Sequence, residues 1–145
     1  MPSVREKVAN MIALAQISSS DIIYDLGSGD GRLVFAALDA GAKKGTGYEI
    51  NPILVKKSQW WAQRKKYGER ASFVCQSMFG ASLHDADVVF LYQLSKTMVL
   101  LEEKLLKELK PGARVVSSTF PFKDWKPVKI DGKVLLYIKD ASVPV

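Results

Sequence analysis

The residues of this chain best placed to do chemistry are a run of glycines behind one acid and a second acid further on. Asp25-Leu26-Gly27-Ser28-Gly29-Asp30-Gly31-Arg32 follows the apolar residues Ile22 and Ile23. The stretch reads as a strand, a glycine turn and the start of a helix. Glycine adopts backbone angles closed to other residues, and a turn made of it lets a ligand lie against the main chain beside a helix N-terminus. Dinucleotide sites space their glycines G-x-G-x-x-G. Here Arg32 occupies the third-glycine position and the spacing is G-x-G-x-G, so that fingerprint is not met. A plain strand-to-helix turn needs at most one glycine. Glu49 stands twenty-four residues after Asp25, in residues 44–50, which read as a second strand. An acid there can accept hydrogen bonds from both hydroxyls of a ribose.

The elements that must hold these residues follow from pattern. Ser3-x-x-Glu6 is a capping box. Val4, Val8, Met11, Ile12 and Ala15 then recur at helical spacing, and Ser18-Ser19-Ser20 closes the helix. A second helix is expected over residues 31–40, stopped by Gly41. Asn51-Pro52 supplies an N-cap and a helix-compatible first residue for a third helix running to about Tyr67. That helix carries Trp60 and Trp61, read as a sheet-packing face, and Lys56, Lys57, Arg64, Lys65 and Lys66, read as a solvated basic face or a docking surface for an acidic partner. Residues 71–76 form a third strand containing Cys75, expected as a small buried hydrophobe. Ser77-Met78-Phe79 follows at its C-terminal end, the edge where open α/β sheets hold ligands. Ser77 suits a purine amine and Met78 the ring, although Met78 and Phe79 also suit a core. Residues 87–92 are a fourth, central strand. Ser95 is expected to cap a fourth helix with Met98, Leu101, Leu105 and Leu109 on one face. Residues 113–120 form a fifth strand, and Asp131-Gly132 marks a closing hairpin between residues 128–130 and 133–139. The fold class implied is α/β, a mostly parallel sheet with an antiparallel C-terminal hairpin and helices on both faces.

Totals narrow the class further. The chain has 145 residues, enough for one domain over residues 1–145. No apolar run approaches the ~18 residues that span a membrane, and no signal peptide is visible. One cysteine excludes an internal disulfide and suits a reducing, cytoplasmic location. No metal site is expected. The net charge of +6 leans towards an acidic or phosphate-bearing partner or serves solubility alone. His84, the lone histidine, stands in a polar loop with nothing nearby in sequence to orient it.

The Asp25–Gly31 motif resembles the first motif of class I S-adenosyl-L-methionine (SAM) methyltransferases, and the strand order expected matches their Rossmann-like seven-stranded sheet. Longer pieces resemble a narrower group: Asp25 to Arg32, then Gly47-Tyr48-Glu49-Ile50-Asn51-Pro52, Leu100-Leu101-Glu102-x-Lys104-Leu105, Gly112-Ala113-Arg114-Val115-Val116-Ser117, Phe120-Pro121 and Trp125-x-Pro127. That group holds the lysine methyltransferases of the ATP synthase c subunit and the adenine nucleotide translocase, and an archaeal broad-specificity protein lysine methyltransferase. The resemblance implies SAM as methyl donor, S-adenosyl-L-homocysteine as product and a lysine-bearing protein as partner. Motif and position together make Asp25, Gly27, Ser28, Gly29, Gly31, Glu49, Ile50, Asn51, Ser77, Met78 and Leu91 the expected cofactor contacts, with Tyr92 as the one candidate catalytic residue. Only Pro2-Ser3 remains of the group's aromatic-Val-Pro-Ser/Thr segment, which reads as a shortened N-terminus or an incomplete cofactor lid. The mitochondrial members' leader is also missing, as in a prokaryotic relative.

Methyl transfer from a sulfonium to an amine is an in-line displacement, and the amine must be neutral. Free lysine at pKa ≈ 10.4 is about 0.04% neutral at pH 7, a penalty of roughly 4.6 kcal/mol. An apolar tunnel lowers it by disfavouring the charged form. Phe90, Leu91, Tyr92, Phe120, Phe122 and Trp125 are candidate walls, and aromatic faces also tolerate a methylated ammonium. No His, Asp or Glu follows the fourth strand as an obvious base, which favours desolvation and positioning. Tyr92 acts through its hydroxyl or main-chain carbonyl, or simply packs. Rival functions are an RNA methyltransferase, a small-molecule methyltransferase and a non-catalytic SAM-binding module. Leu91-Tyr92-Gln93-Leu94 lacks the paired prolines usual in base-amine methylation.

Overall fold

The computed structural model describes residues 3–92 and 97–140. Helix α1 (Val4–Ala15) starts at Ser3, whose hydroxyl accepts the Glu6 N–H at 3.1 Å. It ends before the serines, because Gln16 turns left-handed and closes it on the Ala13 carbonyl. There follow β1 (Ile22–Leu26), α2 (Arg32–Asp39), β2 (Lys44–Glu49), α3 (Pro52–Arg64), β3 (Ala71–Cys75), β4 (Val88–Tyr92), α4 (Met98–Glu108), β5 (Arg114–Ser118), β6 (Lys129–Asp131) and β7 (Val134–Ile138). The seven strands lie in the order β3-β2-β1-β4-β5-β7-β6. The first five are parallel; β7 runs antiparallel to both β5 and β6. This is the α/β arrangement expected. The chain moves outward from β1 to β3, then returns to lay β4 beside β1. That reversal opens a crevice at the C-terminal ends of β1 and β4.

Strand alternation sorts the core onto two faces. Ile23, Val88, Phe90 and Val116 pack under α1, α2 and α3, while Leu26, Val89, Leu91, Val115 and Tyr137 pack against α4 and the loops beside it. Met98, Leu101, Leu105 and Leu109 are buried there as expected. The Ser95 cap lies outside the described residues.

Three expectations need correction. Helix α3 stops at Arg64 rather than near Tyr67, because Lys66 and Gly68 take positive φ. Its indoles do not pack on the sheet: Trp60 is 51% and Trp61 37% exposed, and the buried stripe is the narrow Val55, Ser58 and Ala62. Small residues there let α3 sit close to the glycine turn, where the Ser58 hydroxyl, which donates to the Leu54 carbonyl at 2.9 Å, lies 3.3 Å from the Gly29 carbonyl. Cys75 is exposed at the end of β3, not buried within it.

Candidate functional site

The glycine turn is built to lie on β2. The N–H groups of Gly27 and Ser28 donate to the Tyr48 carbonyl at 2.8 and 3.0 Å, and Gly31 N–H donates to Ser28 at 2.9 Å. Gly29 N–H donates to Glu49 Oε1 at 2.9 Å. The approach depends on glycine on both sides. A Cβ on Gly47 of β2 would sit 2.5 Å from Ser28 Oγ, and one on Gly31, at φ +84°, 2.9 Å from the Phe73 ring. The Gly27, Ser28, Gly29 and Gly31 amides are therefore engaged within the protein and do not form an open cradle for a phosphate.

Glu49 is fixed from both sides. Its Oε1 holds the turn and its Oε2 accepts the Asn51 N–H at 3.0 Å. Each carboxylate oxygen keeps a further lone pair. Asn51 itself is occupied as a cap: its Oδ1 accepts from Ile53 N–H at 2.9 Å and from Leu54 N–H at 3.4 Å. Ile50 and Ile53, next to this carboxylate in sequence, are 71% and 75% exposed, so the acid is flanked by uncovered apolar side chains.

Behind the turn lies a cavity of about 280 Å³ bounded by Val4 and Val8 of α1, Asp25, Ser28, Arg32 and Tyr92. Asp25 and Tyr92 reach it together because alternation puts both on the α1 face, from β1 and its neighbour β4. Asp25 Oδ1, Ser28 Oγ and Tyr92 Oη are each buried without a hydrogen-bond partner. Such orphans are costly, and all three belong to residues that line this one cavity. Burial, then the nearby Glu49 and Asp30 charges, push the Asp25 carboxyl up to about 7. Asp30 and Arg32 close the mouth as an ion pair of 2.6 Å, which holds the Asp30 carboxyl below the usual range. Sequence reasoning missed this pair, and α1 as a wall. The signal for the pair was present: Asp30 and Arg32 sit on either side of a glycine in the turn itself.

The remaining candidates separate. Leu91 points away from Asp25 and Tyr92 into the α4 core and is fully buried, so only its main chain reaches the edge. Ser77 Oγ accepts the Phe79 N–H at 3.2 Å, capping a short 3₁₀ turn, and Met78 packs on the α4-side core. The aromatic tunnel is not assembled as expected. Phe90 is fully buried on the α1 face, while Phe122 stacks on Trp125 at 5.5 Å and meets Tyr137 edge-on at 4.8 Å. Phe120, more than a third exposed, remains at the edge past β5, where Ser118 registers with Tyr92. That edge is held from a distance: Glu102 of α4 accepts from the Lys123 and Asp124 N–H groups at 2.8 and 3.3 Å. Tyr137 Oη accepts the Phe122 N–H at 3.1 Å. Thr119, at φ +83°, is a β-branched residue in left-handed backbone. His84 is exposed in the loop before β4. Among the described residues no group of three or more His, Cys, Asp or Glu is placed to hold a metal ion, and no helix is long and apolar enough to cross a membrane.

Strand order, glycine turn and acid at the end of β2 together define a Rossmann-like methyltransferase domain. Residues 25–129 match the model of the ANTKMT methyltransferase domain, and the chain belongs to that family. It is 37% identical over 131 residues to a protein-lysine N-methyltransferase of Saccharolobus islandicus, spanning 90% of this chain and 81% of that one. It is 37% identical over 127 residues to the adenine nucleotide translocase lysine N-methyltransferase of Mus musculus, covering 88% of this chain but only 55% of that protein. Among solved structures, an RNA methyltransferase from Salinibacter ruber in complex with S-adenosyl-L-homocysteine superposes with a TM-score of 0.91 at 35% identity, covering 99% of this chain and 97% of that one.

Proposed function

We propose that this chain transfers a methyl group from SAM to the ε-amine of a lysine in a partner protein. The observation that carries the cofactor reading is the Glu49 carboxylate, oriented by Gly29 and Asn51 with lone pairs to spare, next to a cavity whose lining residues Asp25, Ser28 and Tyr92 each bury an unpartnered polar atom. In this reading Glu49 accepts the ribose hydroxyls, and Ile50 covers one face of the adenine with Met78 and Ser77 near it. Gly27, Gly29 and Gly31 let the ligand approach the turn. Asp25, Ser28 and Tyr92 face its polar, cationic end. Asn51 acts through the helix cap and through its N–H on Glu49, and Leu91 through its main chain. SAM supplies an electrophilic methyl group on sulfur. A dinucleotide fits less well, because the Gly27, Ser28 and Gly29 amides are already used on β2.

The protein's own task is to place a neutral amine about 3 Å from the methyl carbon, opposite sulfur, and to exclude water. In this reading Tyr92 Oη, buried and unpartnered, accepts a hydrogen bond from the incoming amine. The proton lost by the amine goes to water. The lysine acceptor rests on relatives named as lysine N-methyltransferases of proteins, which also support a protein partner. A free, exposed Cys75 suits a reducing compartment such as the cytoplasm.

An RNA acceptor is the second reading, favoured by the Salinibacter ruber structure and the net charge of +6. Incubating the protein with methyl-labelled SAM and cell lysate, then treating with protease or ribonuclease, separates the two. The lysine reading expects protease-sensitive label; label lost only to ribonuclease overturns it.

A further inference from the structure

Beside the cofactor cavity lies a larger groove of about 530 Å³ between α1, α2 and α3. The two hollows share Val8, Asp30 and Arg32, so a segment lying in the groove ends at the cavity mouth. The floor is apolar, with Phe35 and Ala36 of α2 and Trp61 of α3. The rim is charged, and the signs do not cancel. Asp30 is neutralised by Arg32, and Asp39 accepts the Tyr67 hydroxyl at 2.5 Å. Arg5, Lys57 and Lys65 take part in no ion pair among the described residues, and Lys65 lies over the Phe35 and Trp61 rings at 5.3 and 5.9 Å. The basic side continues along α3, where no acidic residue occurs from Pro52 to Gly68 while Lys56, Arg64 and Lys66 add to it. Next to Trp61, Trp60 stands exposed with Arg64 over its ring at 5.0 Å.

We infer that this groove docks an acidic segment of the acceptor protein, an inference that rests on the lysine reading above. An amine acceptor entering past Arg5, Lys57 and Lys65 meets like charge, and carboxylates flanking it on the same chain remove that repulsion. Apolar side chains between the carboxylates fill the Phe35–Trp61 floor. Single-stranded RNA fits the groove less well. Its bases would find no free pair of facing rings to stack between, since the two indoles meet edge-on at 75° and Phe35 is already stacked on Tyr67 at 5.2 Å. A free lysine side chain is a poor occupant on charge alone.

The test uses the full chain and three probes: a lysine peptide flanked by glutamates, its glutamine-flanked analogue, and oligouridylate. Steady-state methylation is measured for the parent protein, Lys57→Glu/Lys65→Glu and Lys57→Gln/Lys65→Gln, with melting curves and SAM affinity as controls of folding. The inference expects KM for the Glu-flanked peptide to rise about tenfold on charge reversal, and less with glutamine. It also expects kcat to hold, and added salt to erase the preference over the Gln-flanked peptide. Equal use of both peptides by the parent protein overturns the docking groove and leaves the lysine reading intact. So does a KM unmoved by charge reversal. Charge-dependent binding of the Glu-flanked peptide without methylation keeps the groove and refutes the lysine reading. Oligouridylate binding that charge reversal abolishes, with no binding of either peptide, gives the groove to nucleic acid and overturns the inference.

Discussion

The two halves of the sheet edge are built on opposite plans. At the β1–β2 end the Glu49 carboxylate is tied down: both of its oxygens accept main-chain N–H groups, and the Gly27 and Ser28 amides close on β2. At the β4–β5 end Tyr92 Oη is buried with nothing to bond, and the sequence supplies no carboxylate or imidazole from Val88 to Leu101 or from Ala113 to Lys123. The first half is preorganised to bind; the second offers position and desolvation without a base. For a reaction whose main requirement is a neutral amine on the right line, that division is chemically sufficient.

Breaking the binding half has the largest expected effect. Glu49→Ala removes the proposed bonds to two ribose hydroxyls, each worth roughly 1.5–3 kcal/mol when one partner is charged. Calorimetry is expected to show SAM affinity down at least tenfold, with a folded protein by circular dichroism. An unchanged dissociation constant would place the ribose elsewhere. The other half is probed by Tyr92→Phe. If the hydroxyl orients the amine, turnover falls roughly 10–100-fold while SAM binding holds. Because the change removes a buried hydroxyl without a partner, the melting temperature is expected to stay level or rise. Loss of stability with full turnover would assign Tyr92 to packing.

Asp25 lies between the halves and gives a pH signature. A carboxyl raised to about 7 in the folded protein binds more protons folded than unfolded between pH ~4 and 7. Stability of the ligand-free protein therefore falls as pH rises through that window, by up to roughly 4 kcal/mol for a shift of about three units. Asp25→Asn is expected to flatten the dependence and to melt higher than the parent at pH 8, with little difference at pH 4. Parallel curves would mean that Asp25 does not titrate as its burial requires. The smallest effect is at Thr119. Left-handed backbone at a β-branched residue costs on the order of 1–3 kcal/mol, partly offset in a glycine variant by a floppier unfolded chain. Thr119→Gly is expected to gain up to about 1 kcal/mol in denaturant melts, and a loss instead would show that the side chain's packing outweighs the strain.

The same division explains what was legible in the sequence. Gly27, Gly29, Gly31 and Glu49 stand out because local backbone demands fix residue type, and Asn51-Pro52 because helix starts are local too. The β4–β5 end is set by alternation and by distant partners. Alternation alone forbids Phe90, Leu91 and Tyr92 from lining one tunnel, since neighbours on a strand face opposite sides; applied strictly, it would have turned Leu91 away. The clamp of Glu102 on residues 123 and 124, the stacking of Phe122 on Trp125, and the exposure of Trp60 and Cys75 depend on which elements cover which face. No local pattern records that. The groove was half legible: the basic run along α3 showed in sequence, but its aromatic floor needed α1 and α2 beside it.

Mass spectrometry tests the central claim most directly. The protein is incubated with isotope-labelled SAM and a cell lysate, the labelled proteins are digested, and tandem spectra locate the methyl group. The account predicts label on lysine side chains, present with the parent protein and lost with Glu49→Ala. Methyl groups confined to arginine, to histidine or to RNA would contradict it.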